Sequence, residues 1–347
     1  MFKNNLKIAL RSLLKQKKYT LINIMGLAVG IASCLLIMLY VQHEISYDKF
    51  FENHERIYRM VLERKYPNHS TFYTVVPHSY ESVAKQDFAE IEESTLVFYG
   101  GSAPIIYKDG KEEKRFEDEA IAFVDTTFFR IFSIKFIEGS PNRFGSSNEM
   151  IVTQNLAKRF FGEENPLGKI LIVNNTEYKI TGLCEDVPEN SHFKFSSLVS
   201  NHDPRRNNRT NFTSFDSYTY FKLRPGADAA ALEVKFPTMV DKYASGEIER
   251  DLGKSWADYK KEGNGYRYFL QPLASIHLDP TNLEFQMQPS GNITTVYILT
   301  FTAALILVIA CINFMNLATA RSAERAKEVG VRKVMGSIRN QLVTQFL

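Results

Sequence analysis

Two stretches of this chain carry no charged side chain over lengths that few soluble folds sustain. Tyr19 to Gln42 makes 24 such residues and Phe285 to Ala320 makes 36, the second most densely apolar from Val296 to Ile312. A helix of about 20 consecutive apolar residues crosses the hydrocarbon layer of a bilayer. Both stretches therefore predict transmembrane helices, at 19–42 and 293–320. The average composition, 44 % hydrophobic, looks soluble only because the apolar residues are concentrated in these runs.

Charge is distributed just as unevenly. Residues 1–18 hold Lys3, Lys7, Arg11, Lys15, Lys17 and Lys18 with no acid, and residues 321–347 carry +4; the total of +3 leaves −7 between them. Basic residues beside a span stay on the cytoplasmic side. This predicts both ends of the chain in the cytoplasm and residues 43–292 on the far side. Residues 2–14, "FKNNLKIALRSLL", place Phe2, Leu6, Leu10 and Leu13 at helical spacing among Lys3, Lys7 and Arg11. That pattern predicts an amphipathic helix over 1–18, lying on membrane lipid.

A basic start and an apolar run also describe a secretory signal, and "IASC" at Ile31–Cys34 is similar to a lipoprotein cleavage site. The apolar run continues past the cysteine as "LLIMLYV", and it exceeds the 7–15 residues of a signal's apolar region. The first span is expected to be retained.

The middle segment alternates short apolar runs bounded by Gly, Pro or charge, such as "ERIYRMVLER", "STLVFYGG", "EMIVT" and "EYKITGLCEDV", with helix-forming runs. One helix is expected from Gln154 to a stop at Gly162, and another, interrupted or bent at Pro237, in "GADAAALEVKFPTMVDKYA". The interleaving predicts an α+β extracytoplasmic domain of two lobes between two transmembrane helices. Cys184 is its single cysteine, so it has no internal disulfide.

No catalytic or metal-binding constellation is visible. The seven histidines show neither H-E-x-x-H spacing nor a C-x-x-C companion, and no phosphate-binding G-x-x-x-x-G-K-[ST] occurs. The acidic "EDE" at Glu117–Glu119 reads as a solvated strand edge or loop, and "RRNNR" at Arg205–Arg209 as a loop rather than a nucleic-acid contact. The expectation is a non-enzyme with no metal and no cofactor of its own.

Beyond the second span the helix formers "RSAERAKEV" lead to Gly330, which predicts a helix stop. "VRKVM" then forms a short knuckle closed by Gly336, and "SIRNQLVTQFL" begins a further helix. On these residues alone, a docking knuckle and an ordinary basic membrane flank fit equally well.

Four stretches carry a resemblance: "NNLKIALRSLLKQKKYTLINIMGLAVGIASCLLI", "YDKFFENHERIYRM", "VTQNLAKRFFGEENPLGKIL" with "YKITGLCEDVPENSHFKF", and "CINFMNLATARSAERAKEVGVRKVMGS". Together they resemble the permease subunit of the MacB/FtsX-like ABC transporter family, particularly the large Bacteroidetes-type permeases. The resemblance implies a MacB-like periplasmic core domain over 43–292, with an inserted lobe at about 105–215. It also implies a stalk and coupling helix over 321–347, in a multi-pass protein of the bacterial inner membrane. A separate cytoplasmic ABC ATPase subunit would bind the ATP and dock on Glu328, Val331, Arg332, Lys333, Val334 and Met335. In that arrangement the valines and Met335 fill a pocket, and Arg332 and Lys333 meet acids around it. A second permease copy or half and a periplasmic adaptor are the other implied partners. The implied mechanism is mechanotransmission: ATP-driven movement of the spans reshapes the outer domain, in export or efflux.

Such permeases have at least four spans, so a two-span chain is expected to be part of a longer one and not to transport alone. The alternative is a two-span sensor with an extracytoplasmic ligand-binding domain. A sensor would continue from its second span into a long heptad-patterned helix, which glycines at 330 and 336 disfavour.

Overall fold

The computed structural model describes residues 17–110, 112–201 and 211–336. The amphipathic helix expected before residue 17, the basic loop at 205–209 and the final helix after 336 lie outside the described residues. The chain divides into two compact units. One joins Met1–His43 to Ile293–Leu347, and the other is Glu44–Asn292.

The first unit is a pair of long helices, α1 (Lys17–Ile45) and α9 (Ile293–Val334). Each contains a window long and apolar enough to cross a membrane, Ile24–Ile45 and Ile293–Asn316. Small residues set their contact. A Cβ on Gly26 would lie 3.2 Å from Asn313 Nδ2, and one on Gly30 would lie 3.1 Å from Ala310 Cβ. One turn further, the Cys34 thiol donates to the Ala303 carbonyl at 3.2 Å. Positions rise on α1 as they fall on α9, so the helices run antiparallel. Their close approach is the small-xxx-small packing used where no hydrophobic driving force acts between helices. Gly330 does not end α9, contrary to the stop expected there. The helix runs through it to Val334, and Gly336, at φ +93°, ends the turn that follows. A single glycine inside a helix costs only about 1 kcal/mol, too little to break a 42-residue helix.

The second unit is built on one twelve-stranded sheet. The strand β1 (Ile57–Lys65) is buried over most of its length; it pairs along one edge with β11 (Gly265–Pro272) and on the other with β10 (Tyr218–Leu223) and β2 (Ser70–Tyr73). The long β3 (Ile91–Asp109) pairs with β10 near its start and with β4 (Glu112–Val124) beyond. From there β9 (Ser197–Ser200), β6 (Glu149–Thr153), β8 (Thr176–Cys184) and β5 (Phe136–Gly139) complete the order, with β7 (Ile170–Val173) between β3 and β8 and the short β12 (Leu283–Glu284) beside β2.

Two lobes arise because the cores differ while the sheet continues. One apolar cluster takes its residues from 60–91 and 212–270, under α2 (Ser79–Asp87) and the helices α5 (Ala229–Glu233), α6 (Phe236–Tyr243), α7 (Ser245–Leu252) and α8 (Trp256–Lys261). Another draws only on 103–199, under α4 (Gln154–Phe161). Position 105 falls inside β3, so no break in the sheet marks it. Between the two clusters sits a phenylalanine-rich core, beside the short α3 (Phe128–Ile131), in which Phe132 meets Phe193 edge-on at 4.8 Å. The helix expected from Gln154 is capped by the Thr153 hydroxyl and ends at Gly162, φ +63°. Of the two outcomes expected near Pro237 the helix is interrupted, with α5 stopping at Glu233 and Pro237 in the first turn of α6. The "EDE" segment is not wholly solvated: Glu119 is buried and meets Arg159 at 2.6 Å.

Cys184 is buried, its thiol donating to the Val152 carbonyl at 3.6 Å, and burial pushes it up to about 12 from an ordinary 9.0. Burial likewise raises Tyr80, Tyr220 and Tyr268. A group whose folded value is raised supports full stability below its unfolded value and loses it as pH rises through the folded one. The thermal midpoint of the 44–292 unit, read by near-ultraviolet circular dichroism on the full chain, should therefore fall steadily above pH about 9. Cys184→Ala should flatten the start of that fall and cost about 1 kcal/mol at neutral pH. A midpoint that is flat to pH 11 would contradict this.

Candidate functional site

Among the described residues no group of three or more His, Cys, Asp or Glu side chains is placed to hold a metal ion. The features that stand out are an apolar face at the end of α9 and a polar joint inside the second unit.

Val331 and Val334 on the last turn of α9, and Met335 in the turn that follows, lie three and four positions apart and so share one face. All three are strongly exposed, Val334 at 89 %. Glu328, Arg332 and Lys333 belong to the same helix, but their side chains lie outside the described residues. The structure thus gathers the three apolar members of the expected docking segment on a helix that is continuous with the second span.

The polar joint went unpredicted. It forms where the chain enters the second unit, at Glu44–Asp48, and where it prepares to leave, at 276–291. Asp48 is fully buried with a left-handed backbone, φ 58°. Its carboxylate accepts from the Ser191 hydroxyl at 3.0 Å and the His192 amide at 3.1 Å, and His192 Nδ1 lies 2.9 Å away. His192 Nε2 meets the Tyr220 hydroxyl at 2.8 Å. Beyond lies Arg59, wholly buried on β1. Its Nε and Nη2 donate to Gln271 Oε1 at 3.0 and 2.6 Å, and Nη2 also to Gln286 Oε1 at 3.1 Å. Gln271 in turn donates to Asp279 at 2.6 Å. Burial pulls the guanidinium below its ordinary value, while Tyr220, Tyr218 and Asp279 oppose the shift; arginine remains charged. This chain of contacts ties Asp48 and Gln286 to β1, β10 and β11.

A second clasp sits beside it. His277 Nε2 lies 2.9 Å from Glu44 Oε2, and the Tyr47 ring stacks on the imidazole at 3.4 Å. Gly291 donates its amide to the His277 carbonyl at 2.8 Å. A Cβ on Gly291 would come within 2.6 Å of both Glu44 Oε2 and His277 Nε2. Little of this was legible beforehand because the contacts that close the joint, from Asp48 to 191–192, Arg59 to Gln271 and Gln286, and Glu44 to His277, span 143 to 233 residues of chain. One local sign was present: the "SH" of "PENSHFKF" lies in a quoted signature stretch and supplies Ser191 and His192.

These features define a class: a mixed α/β domain carried between two antiparallel apolar helices, with both of its chain ends clasped to β1, β10 and β11. The sequence profile of the MacB-like periplasmic core domain matches residues 20–238, and the chain belongs to that family. It is 21 % identical over 360 residues to the uncharacterized ABC transporter permease YknZ of Bacillus subtilis, a match covering 99 % of this chain and 80 % of that protein. It is 24 % identical over 238 residues to the macrolide export ATP-binding/permease protein MacB of Aggregatibacter actinomycetemcomitans, where the match covers 67 % of this chain but only 33 % of the relative. Its fold is similar to a crystallised domain assigned to a permease protein of Porphyromonas gingivalis, with a TM-score of 0.54 at 17 % identity, covering 72 % of this chain and 98 % of that one.

Gly291→Ala tests the clasp. The methyl group must displace Glu44 from His277, and a partly buried polar pair left unmade costs about 1–3 kcal/mol. The thermal midpoint of the second unit should drop accordingly. Gly246→Ala, whose new methyl meets nothing within 4 Å in helix α7, should hold the midpoint or raise it slightly, since alanine favours the helix. Equal midpoints for the two variants would show that the clasp contributes nothing.

Proposed function

We propose that this chain is the permease component of an ABC transporter and works by mechanotransmission. In this reading a partner ATPase in the cytoplasm binds ATP and dimerises, the spans shift, and the outer domain changes shape to drive export or efflux. Family membership and the two permease relatives support the class. The observation that carries the mechanism is α9. A 42-residue helix at 1.5 Å per residue is about 63 Å long, roughly twice the hydrocarbon thickness. One rigid element therefore contains both the second span and the exposed Val331–Val334–Met335 face. A push on that face would be delivered through the span without a hinge to absorb it.

The basic flanks and the acidic middle support a topology with both described helix ends, near Lys17 and Met335, in the cytoplasm and the domain across an inner membrane. Glu328, Arg332 and Lys333 would surround the apolar contact with the ATPase. No ATP site is assigned to this chain. The sensor alternative was disfavoured by an expected break at Gly330; that break is absent, and the family match is what separates the two readings.

An apolar side chain seated in a partner's pocket is a hot spot whose truncation costs about 2 kcal/mol or more. In the full-length transporter, Val334→Asp or Met335→Asp should abolish co-purification of the ATPase, with expression and membrane insertion unchanged. Arg332→Ala should weaken binding mainly at low salt, where a rim charge is least screened. Wild-type recovery of the ATPase with both aspartate variants would refute the docking role. Reporter fusions at residues 150 and 336 test the topology: only the first should be active as an extracytoplasmic reporter.

A further inference from the structure

Both ends of the second unit converge on one short stretch of chain. Between β8 and β9 the backbone is irregular from Glu185 to Ser196. The two strands flank β6 in the lobe built on 103–199, so this stretch leaves that lobe and returns to it. At its turn it meets the residues that follow α1. Asn190 Nδ2 donates to Ser46 Oγ at 2.9 Å, and the Asp48 amide donates to the Asn190 carbonyl at 2.9 Å. The Ser191 hydroxyl donates to the Asp48 carboxylate at 3.0 Å. The same turn meets the residues that precede α9, where Gln288 Nε2 donates to the Ser191 carbonyl at 3.2 Å. Ser191 is fully buried. It holds one end of the unit by its side chain and the other by its main chain.

The neighbouring residue fixes this point to a core. The Phe193 amide donates to Ser191 Oγ at 3.1 Å, and the Phe193 ring packs edge-on against Phe51 and Phe132, at 6.2 and 4.8 Å. Satisfying the polar groups of a buried loop needs only nearby partners. Here the partners lie 143 and 97 positions away, one towards each end of the unit. Asp48 also delivers its carboxylate from a left-handed backbone, φ 58°. Such a backbone is uncommon outside glycine and persists where the surroundings over-determine it.

We infer that Ser191 is a positioning node that makes the spacing of the two chain ends and the seating of the 103–199 lobe one coupled quantity. A shift of either end pulls on Ser191 and, through β8 and β9, on that lobe. The use of the node in transport rests on the permease reading; the node itself does not.

Hydrogen exchange on the full chain in detergent tests the node without any partner. Asn190→Ala removes the tie to Ser46, and Gln288→Leu removes the tie to the Ser191 carbonyl. Each should speed exchange of the β9 amides about threefold, within the range of one lost hydrogen bond, and leave β2 unchanged. Because both ties end on one node, the double variant should stay near the single ones rather than reach their product of about ninefold. Gln288→Glu keeps the shape without the donor and should act as Gln288→Leu does; a packing role would leave it at the wild-type rate. A double variant at the product, or β9 exchange that neither change alters, would overturn the node. In the assembled transporter, spin labels at positions 113 and 246, one on each lobe, read the consequence. Trapping the ATP-bound state should change their separation in the parent chain and not in the double variant. A change that survives in the double variant would overturn the relay and leave the permease reading intact. No change in the parent chain would count against the permease reading, and the exchange rates would still decide the node.

Discussion

A domain whose chain enters from one apolar helix and leaves into another must bring its two ends together and hold them. In the second unit that constraint is met by polar contacts rather than apolar ones. Glu44 and Gly291 close on His277. Asp48 and Gln286 are fastened to the sheet through His192, Tyr220 and Arg59. The segments involved are short and irregular, and the residues available there, "PSGN" among them, have little apolar surface to bury. Directional hydrogen bonds position such segments where packing cannot. They also give the buried charges of this joint, Asp48 and Arg59, the polar partners that burial demands.

The helix pair solves the same problem differently. Lipid gives no hydrophobic reward for bringing two helices together, so approach distance decides. Gly26, Gly30 and Cys34 present a nearly bare backbone every fourth residue, and Ala303, Ala310 and Asn313 fit against it. The same close packing makes the pair stiff. Stiffness is the property a mechanical coupling needs, and α9 extends it past the span by keeping helical geometry through Gly330.

Between these solutions lies a sheet that serves both lobes. The strands β3 and β4 run from the phenylalanine-rich core into the core under α4, so a displacement of one lobe is resisted by backbone hydrogen bonds of the other. The lobes are separate in their side-chain cores and joined in their main chain. This explains why the lobe built on 103–199, with its own apolar cluster, does not appear as a separate compact unit.

The sequence by itself determined the features that depend on local composition. Charge-free length identified both apolar helices. Short apolar runs bounded by Gly, Pro or charge identified β1, β6 and β8, the glycine stop at Gly162 marked the helix from Gln154, and the motif stretches carried the family. It misjudged Gly330, because a single glycine's preference is weaker than the cooperativity of the helix around it. It also misjudged Glu119, because whether an acid is solvated depends on Arg159, 40 residues away in the chain. Only the tertiary structure decided the joint. Asp48, Arg59, His192, Gln271 and Gln286 are unremarkable one by one, and hydrogen-bond partners so far apart leave no period to read. Burial turned them into a site, since in water none of those groups needs another, and inside the domain each must find one.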